Sequence, residues 1–205
     1  YCKVKNKNCF ATIQHGILTP FQEKNLGKRK FIFSPFLCWN KRVSKKAKSK
    51  KIPGVIPIGS PFIYLNKILK NTEKKNVGTI VFPSKSSLSF ERNIDNEALI
   101  YETEKSFTGP YSICVYYLDL NKDWSVFKKR GWRVFSCGNK ESKNFLFKLH
   151  KNLSKHKNVV CTSINTATFY SMYLKKNFKL IINSTKNIKN KSLVNLSSKD
   201  QYIQK

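Results

Sequence analysis

From Gly78 onward, short apolar, β-branched or aromatic runs alternate with amphipathic stretches, and this alternation limits the fold more than any other feature of the chain. Gly78 to Pro83 (GTIVFP), Ser112 to Leu118 (SICVYYL), Trp132 to Cys137 (WRVFSC), Val159 to Thr162 (VVCT) and Phe178 to Asn183 (FKLIIN) read as buried strands. Between them lie helical patterns. Phe145, Leu146, Leu149 and Leu153 share one helical face and leave Lys148, Lys151 and Lys155 for water. Phe169, Tyr170, Tyr173 and Leu174 repeat the pattern in the next helix. Strands alternating with helices at this spacing require right-handed crossovers, hence a parallel sheet covered on both faces. The expected class is α/β, with a Rossmann-like core over residues 78–185.

The first 77 residues are less regular. Phe31 to Trp39 and Val55 to Ile58 read as two strands around a basic helix, Asn40 to Lys51, and IPIGSPFIYL leads into an apolar helix. They are expected to be a linker and the opening strands of the same sheet. Residues 186–205 lose periodicity and read as a polar tail. The longest uncharged stretches, Ile52 to Asn66 and Val159 to Leu174, fall short of the ~18 to 20 apolar residues of a membrane span. The chain opens at Tyr1 and its one methionine is Met172, so a longer reading frame is expected upstream.

A net charge of +29 on 205 residues would ordinarily point to a polyanionic partner. The basic residues, however, are 35 Lys and 5 Arg, beside 20 Asn, as AT-rich codons would write. Arginine, the preferred bidentate reader of phosphate and guanine, is scarce. The charge is also spread over two flanks: +17 in residues 1–90, zero in 91–141 and +12 in 142–205. A lysine-coated surface is the expectation, and nucleic acid is not the expected partner. The six cysteines (Cys2, Cys9, Cys38, Cys114, Cys137, Cys161) have no CxxC spacing and read as free, mostly buried thiols suited to a reducing cytoplasm.

In an open parallel sheet, ligands bind at the carboxyl ends of the strands, where helix N-termini offer N–H groups to anions. Two turns qualify. Ser84, Lys85, Ser86 and Ser87 follow the first strand and suit a phosphate; a helix cap is the alternative. Thr162, Ser163, Asn165 and Thr166 follow the fourth and suit a diphosphate or ribose; N-capping is again the alternative. Neither turn is a Walker A or GxGxxG fingerprint. Asp119, after Tyr116 and Tyr117, is either a carboxylate at the sheet edge or an N-cap for a helix over Lys122 to Arg130. His15 is the candidate general base or phosphate contact, whereas His150 and His156 sit among lysines on a surface helix and receive no role.

Several blocks occur in a telling order: Gln14-His15-Gly16, Trp39-Asn40-Lys41-Arg42, Ile58 to Leu65 (IGSPFIYL), Gly78 to Ser87 (GTIVFPSKSS), Val115 to Asp119 (VYYLD), and Phe169-Tyr170 followed by Tyr173-Leu174-Lys175. Together, over roughly residues 10–183, they resemble bacterial proteins of surface-polysaccharide and O-antigen gene clusters that look like GT-B glycosyltransferases. They resemble more distantly the glycerophosphotransferases and capsule sialyltransferases. The resemblance implies a carboxyl-terminal donor-binding domain, preceded in a complete protein by an acceptor domain. It also implies a nucleotide-activated sugar or polyol donor, a glycan acceptor, and a cytoplasmic location with peripheral contact to the anionic inner membrane face. The chain departs from the family pattern in two turns: Lys85 replaces a usual histidine, and Asn165-Thr166 replaces a usual Gly-Thr, with Thr162 where asparagine is usual. Lysine still pairs with phosphate as a point charge, but imidazole chemistry at position 85 is lost. No cofactor and no metal are expected, because no DxD cluster is present. Two other readings are a basic, nucleic-acid-associated α/β protein and a truncated, inactive homologue.

Overall fold

The structure, a computed structural model, describes residues 11–14, 16–18, 23, 26, 35–69, 76–84, 92–140, 142–181 and 185–187. The chain divides into two compact units, residues 1–72 and 73–205.

In the first unit, β1 (Thr12–Ile13), β2 (Phe36–Cys38) and β3 (Val55–Pro57) form a three-stranded parallel sheet. Helix α1 (Lys41–Ser49) crosses from β2 to β3. It starts where the Asn40 side chain accepts from Val43 N at 2.8 Å, a cap worth about 1 kcal/mol. Its lysines at 41, 45 and 48 face water while Val43 and Ala47 join Phe36, Cys38 and Val55 in the core. Helix α2 (Pro61–Leu69) opens on a proline, whose missing N–H costs nothing in a first turn. These strands do not extend the larger sheet, contrary to the sequence expectation. They close among themselves, because α1 supplies β2 and β3 with a hydrophobic cover of their own.

The second unit is built on β4 (Thr79–Phe82), β6 (Tyr111–Cys114), β7 (Arg133–Phe135), β8 (Asn158–Cys161) and β9 (Asn177–Leu180). All four pairings are parallel and the strand order is β7-β6-β4-β8-β9, so this is a Rossmann-like sheet. Helix α3 (Asn96–Ser106) precedes β6 and α4 (Ser125–Lys129) precedes β7. Their Leu99, Ile100 and Phe127 pack with Val81, Ile113, Val115 and Val160 in one fully apolar cluster. Each such side chain contributes roughly 1.5–3 kcal/mol by leaving water. Alternate residues of the same strands, Ile80 and Val159, are equally buried and point to the other face. Right-handed crossovers bring α5 (Phe145–Lys155) and α6 (Thr166–Tyr173) there.

The five strands match the five apolar runs, with differences at their ends. The run Ser112 to Leu118 leaves the strand after Cys114 and turns through a short 3-10 segment, Tyr117–Asp119. The helix expected over Lys122 to Arg130 is only Ser125–Lys129. On α6 the buried face is Ala167, Thr168, Tyr170 and Ser171, while Phe169 and Tyr173 are exposed. Three small residues and the Tyr170 ring make up the buried side, and the Phe169 and Tyr173 rings are left outside. The tail boundary also moves. Residues Thr185–Asn187 form β10, which pairs antiparallel with β5 (Arg92–Ile94).

At the amino end of the large sheet, polar side chains are stitched together. Thr79 Oγ1 donates to Thr108 O (2.8 Å) and accepts from Asn158 Nδ2 (3.1 Å); Asn158 Oδ1 accepts from Asn177 Nδ2 (3.0 Å). His156 is buried, not on a surface as its lysine neighbours imply: its Nδ1 lies 2.6 Å from Asn152 O and its Nε2 3.2 Å from Ser112 Oγ. His150 is buried too. Gly78 opens β4 with φ +74°, and a Cβ there would collide with the Pro110 carbonyl oxygen.

Candidate functional site

The strand order reverses between β4 and β8: from β4 the chain proceeds to β6 and β7 on one side, then returns to place β8 on the other. In a sheet of this type the crevice at such a reversal, outside the carboxyl ends of the strands, is where ligands bind. Both turns singled out in the sequence leave the sheet at this point.

The two turns touch. Ser84 N donates to Thr162 Oγ1 at 2.6 Å, and the Ser84 and Thr162 hydroxyls lie 2.9 Å apart. Both side chains are buried, at 4% and 2% exposure, so these hydroxyls are engaged with each other and hold the two turns in register. Ser163 and Thr166 are half-buried and carry the open part of the second turn. Asn165 caps α6. Its Oδ1 accepts from Ala167 N (2.8 Å) and Thr168 N (3.3 Å), while Thr168 Oγ1 accepts from Asn165 N (3.2 Å), completing a reciprocal cap. Behind them Cys161 is buried, and burial raises its thiol pKa to about 11.

Asp119 lies beyond β6 in the 3-10 segment. It does not cap α4, which begins after Trp124. Its buried carboxylate pairs with Lys122 Nζ at 3.1 Å, and its carbonyl accepts from Trp124 Nε1 at 2.8 Å. His15, Lys85, Ser86 and Ser87 lie outside the described residues. Next to His15, Gln14 is buried. Its Oε1 accepts from Trp39 N (2.9 Å) and its Nε2 donates to Gly16 O (2.8 Å), joining the ends of β1 and β2. A buried, doubly bonded glutamine has no sequence signature, and its role emerges only from the pairing of those strands.

A groove of about 570 Å³ lies on α3 beside the end of α4, lined by Glu97, Tyr101, Glu104, Lys105 and Arg130. Arg130 bridges Glu97 and Glu104 at 3.2 Å each, so its walls neutralise one another, and the β4/β8 crevice is the stronger candidate on chemical grounds. Among the described residues no group of three His, Cys, Asp or Glu side chains is placed to hold a metal, and no helix is long and apolar enough to cross a membrane. No protein-family model matches the chain, and no curated protein and no solved structure matches it.

Proposed function

We propose that this chain carries the donor-binding domain of a GT-B-like transferase, which takes a sugar or polyol phosphate from a nucleotide-activated donor for a surface glycan. One observation carries the reading: the β4 and β8 turns meet at the strand-order reversal, joined by Ser84 and Thr162. In this reading the two buried hydroxyls position the turns, and the donor diphosphate takes its hydrogen bonds from Ser163 and Thr166, beside the amino end of α6, whose dipole favours negative charge. Lys85 supplies a cation to the leaving phosphate, and His15 serves the acceptor side as base or phosphate contact.

Titration with CMP- and UDP-type ligands, and separately with duplex DNA, at ~150 mM salt tests the reading, because loosely held phosphate contacts are largely lost there. Nucleotide binding that Lys85→Ala weakens about tenfold to a hundredfold is the expected result, as one hydrogen bond to an anion is worth ~1.5 to 3 kcal/mol. Salt-resistant DNA binding without nucleotide binding would replace the reading with nucleic-acid association.

A further inference from the structure

Cys114 ends β6 and Cys137 follows β7, and their Sγ atoms lie 3.6 Å apart. The register explains the meeting. Cys114 faces Phe135 across the β6/β7 pair, and Cys137, two residues further on, returns to the same face of the strand. Ser136 Oγ then accepts from Gly138 N at 3.0 Å, and Gly138 (φ +90°) turns the chain away. A Cβ built at Gly138 itself meets nothing within 4 Å. Both thiols are otherwise buried, at 8% and 4% exposure.

We propose that Cys114 and Cys137 form an oxidisable dithiol, which hydrogen peroxide converts to an intramolecular disulfide joining the carboxyl ends of β6 and β7. The inference is independent of the donor-site reading. Cys137 is the attacking sulfur. The Cys114 S–H hydrogen bond, the Lys148 ammonium and an Asn152 hydrogen bond all favour its thiolate and hold its pKa below the usual thiol value despite burial. Cys114, hydrogen-bonded to Cys137 and buried, is held well above it. In the first step the Cys137 thiolate attacks a peroxide oxygen, the O–O bond breaks, and the departing hydroxide takes up a proton, leaving a sulfenic acid. In the second, the Cys114 sulfur attacks the Cys137 sulfur, the S–S bond forms, and hydroxide leaves with the Cys114 proton as water. Two thiols are oxidised, one peroxide is reduced, and two waters result. Disulfide formation closes the pair from 3.6 Å to a bond of about 2.05 Å.

Cys38 and Cys161 are built-in controls, since both are free, buried and raised in pKa. The folded full-length chain is exposed to a small excess of hydrogen peroxide, the remaining thiols are alkylated, and the peptides are mapped by mass spectrometry. Expected is a Cys114–Cys137 linked peptide, 2 Da lighter than its reduced halves and cleaved by dithiothreitol. It should form at least about tenfold faster than any oxidation of Cys38 or Cys161. In Cys114→Ser, where the neighbouring thiol is removed, the Cys137 sulfenic acid should be captured by dimedone. The proposal fails if both thiols survive peroxide, or if Cys38 and Cys161 react at the same rate, which would mean oxidation through unfolding. It also fails if dimedone labels Cys114 in Cys137→Ser but not Cys137 in Cys114→Ser.

Discussion

The two ends of the five-stranded sheet are tied in different ways. At the amino end a continuous polar chain runs from Thr108 through Thr79 and Asn158 to Asn177, with His156 and Ser112 beside it, so several strands share one network. At the carboxyl end the ties are pairwise: oxygen to oxygen between β4 and β8, sulfur to sulfur beside β6 and β7. The bonds of such a network polarise one another, so together they specify one arrangement of the strands they join. An isolated pair ties only the two residues that form it, Ser84 to Thr162 and Cys114 to Cys137. One end is thus tied as a network and the other through two separate pairs, and three measurements press on that difference.

The largest effect is expected at Gly78. Alanine there adds a Cβ that collides with the Pro110 carbonyl and occupies a left-handed backbone conformation, for a loss of roughly 3 kcal/mol or more. Urea unfolding should show a lower midpoint at an unchanged slope. A loss below about 1 kcal/mol would mean that the amino end yields easily and is not the rigid one.

Next comes Thr162→Val at the carboxyl end. It removes the acceptor for Ser84 N and the partner of the Ser84 hydroxyl in a buried place, at a cost of about 2 kcal/mol. Thr162→Ser keeps the oxygen and should recover most of that stability. If valine costs nothing, the β4/β8 tie is dispensable and the two turns are held by something else.

The smallest effect is a pH dependence. Burial, with the Lys176, Arg133 and Lys155 charges adding to it, pushes the His156 imidazole below its usual 6.5, against the opposing hydrogen bond to Asn152 O. The unfolded chain therefore takes up a proton near pH 6.5 that the folded chain still refuses. The His156 contribution is whole above that pH and drains away as the pH falls through the folded value. One proton gives a slope of at most about 1.4 kcal/mol per pH unit. Unfolding series between about pH 7 and 5 should show a steeper decline for the parent than for His156→Gln.

Where burial was continuous, the sequence was readable. Thr79–Phe82 and Asn158–Cys161 are buried at every position, and an uninterrupted apolar run is what a central parallel strand looks like. The β5 and β10 strands, Arg-Asn-Ile and Thr-Lys-Asn, carry no apolar period and could be found only through their pairing. His156 was misread because its lysine neighbours point to water on a helix end whose opposite side meets β6. The β4 and β8 turns were legible as a candidate site because a cluster of hydroxyl residues follows each strand in the sequence. That Ser84 and Thr162 would engage each other was not, since the contact joins residues 78 positions apart. The thiol pair escaped for the same reason: its members stand 23 residues apart, and only the β6/β7 register brings them together.

The central place of β4 has a consequence for the growing chain. Thr79 must wait for Asn158, 79 residues later, before its second neighbour exists. At synthesis rates of roughly 5–20 residues per second, that is an interval of several seconds, in which a β7-β6-β4 half-sheet presents Thr-Ile-Val-Phe as an unpaired edge. Such an edge is a template for other strands, including those of neighbouring nascent chains. Emergence of β8 from the ribosome is therefore the event that ends the exposure of β4 as an edge, and pausing upstream of Asn158 would prolong it.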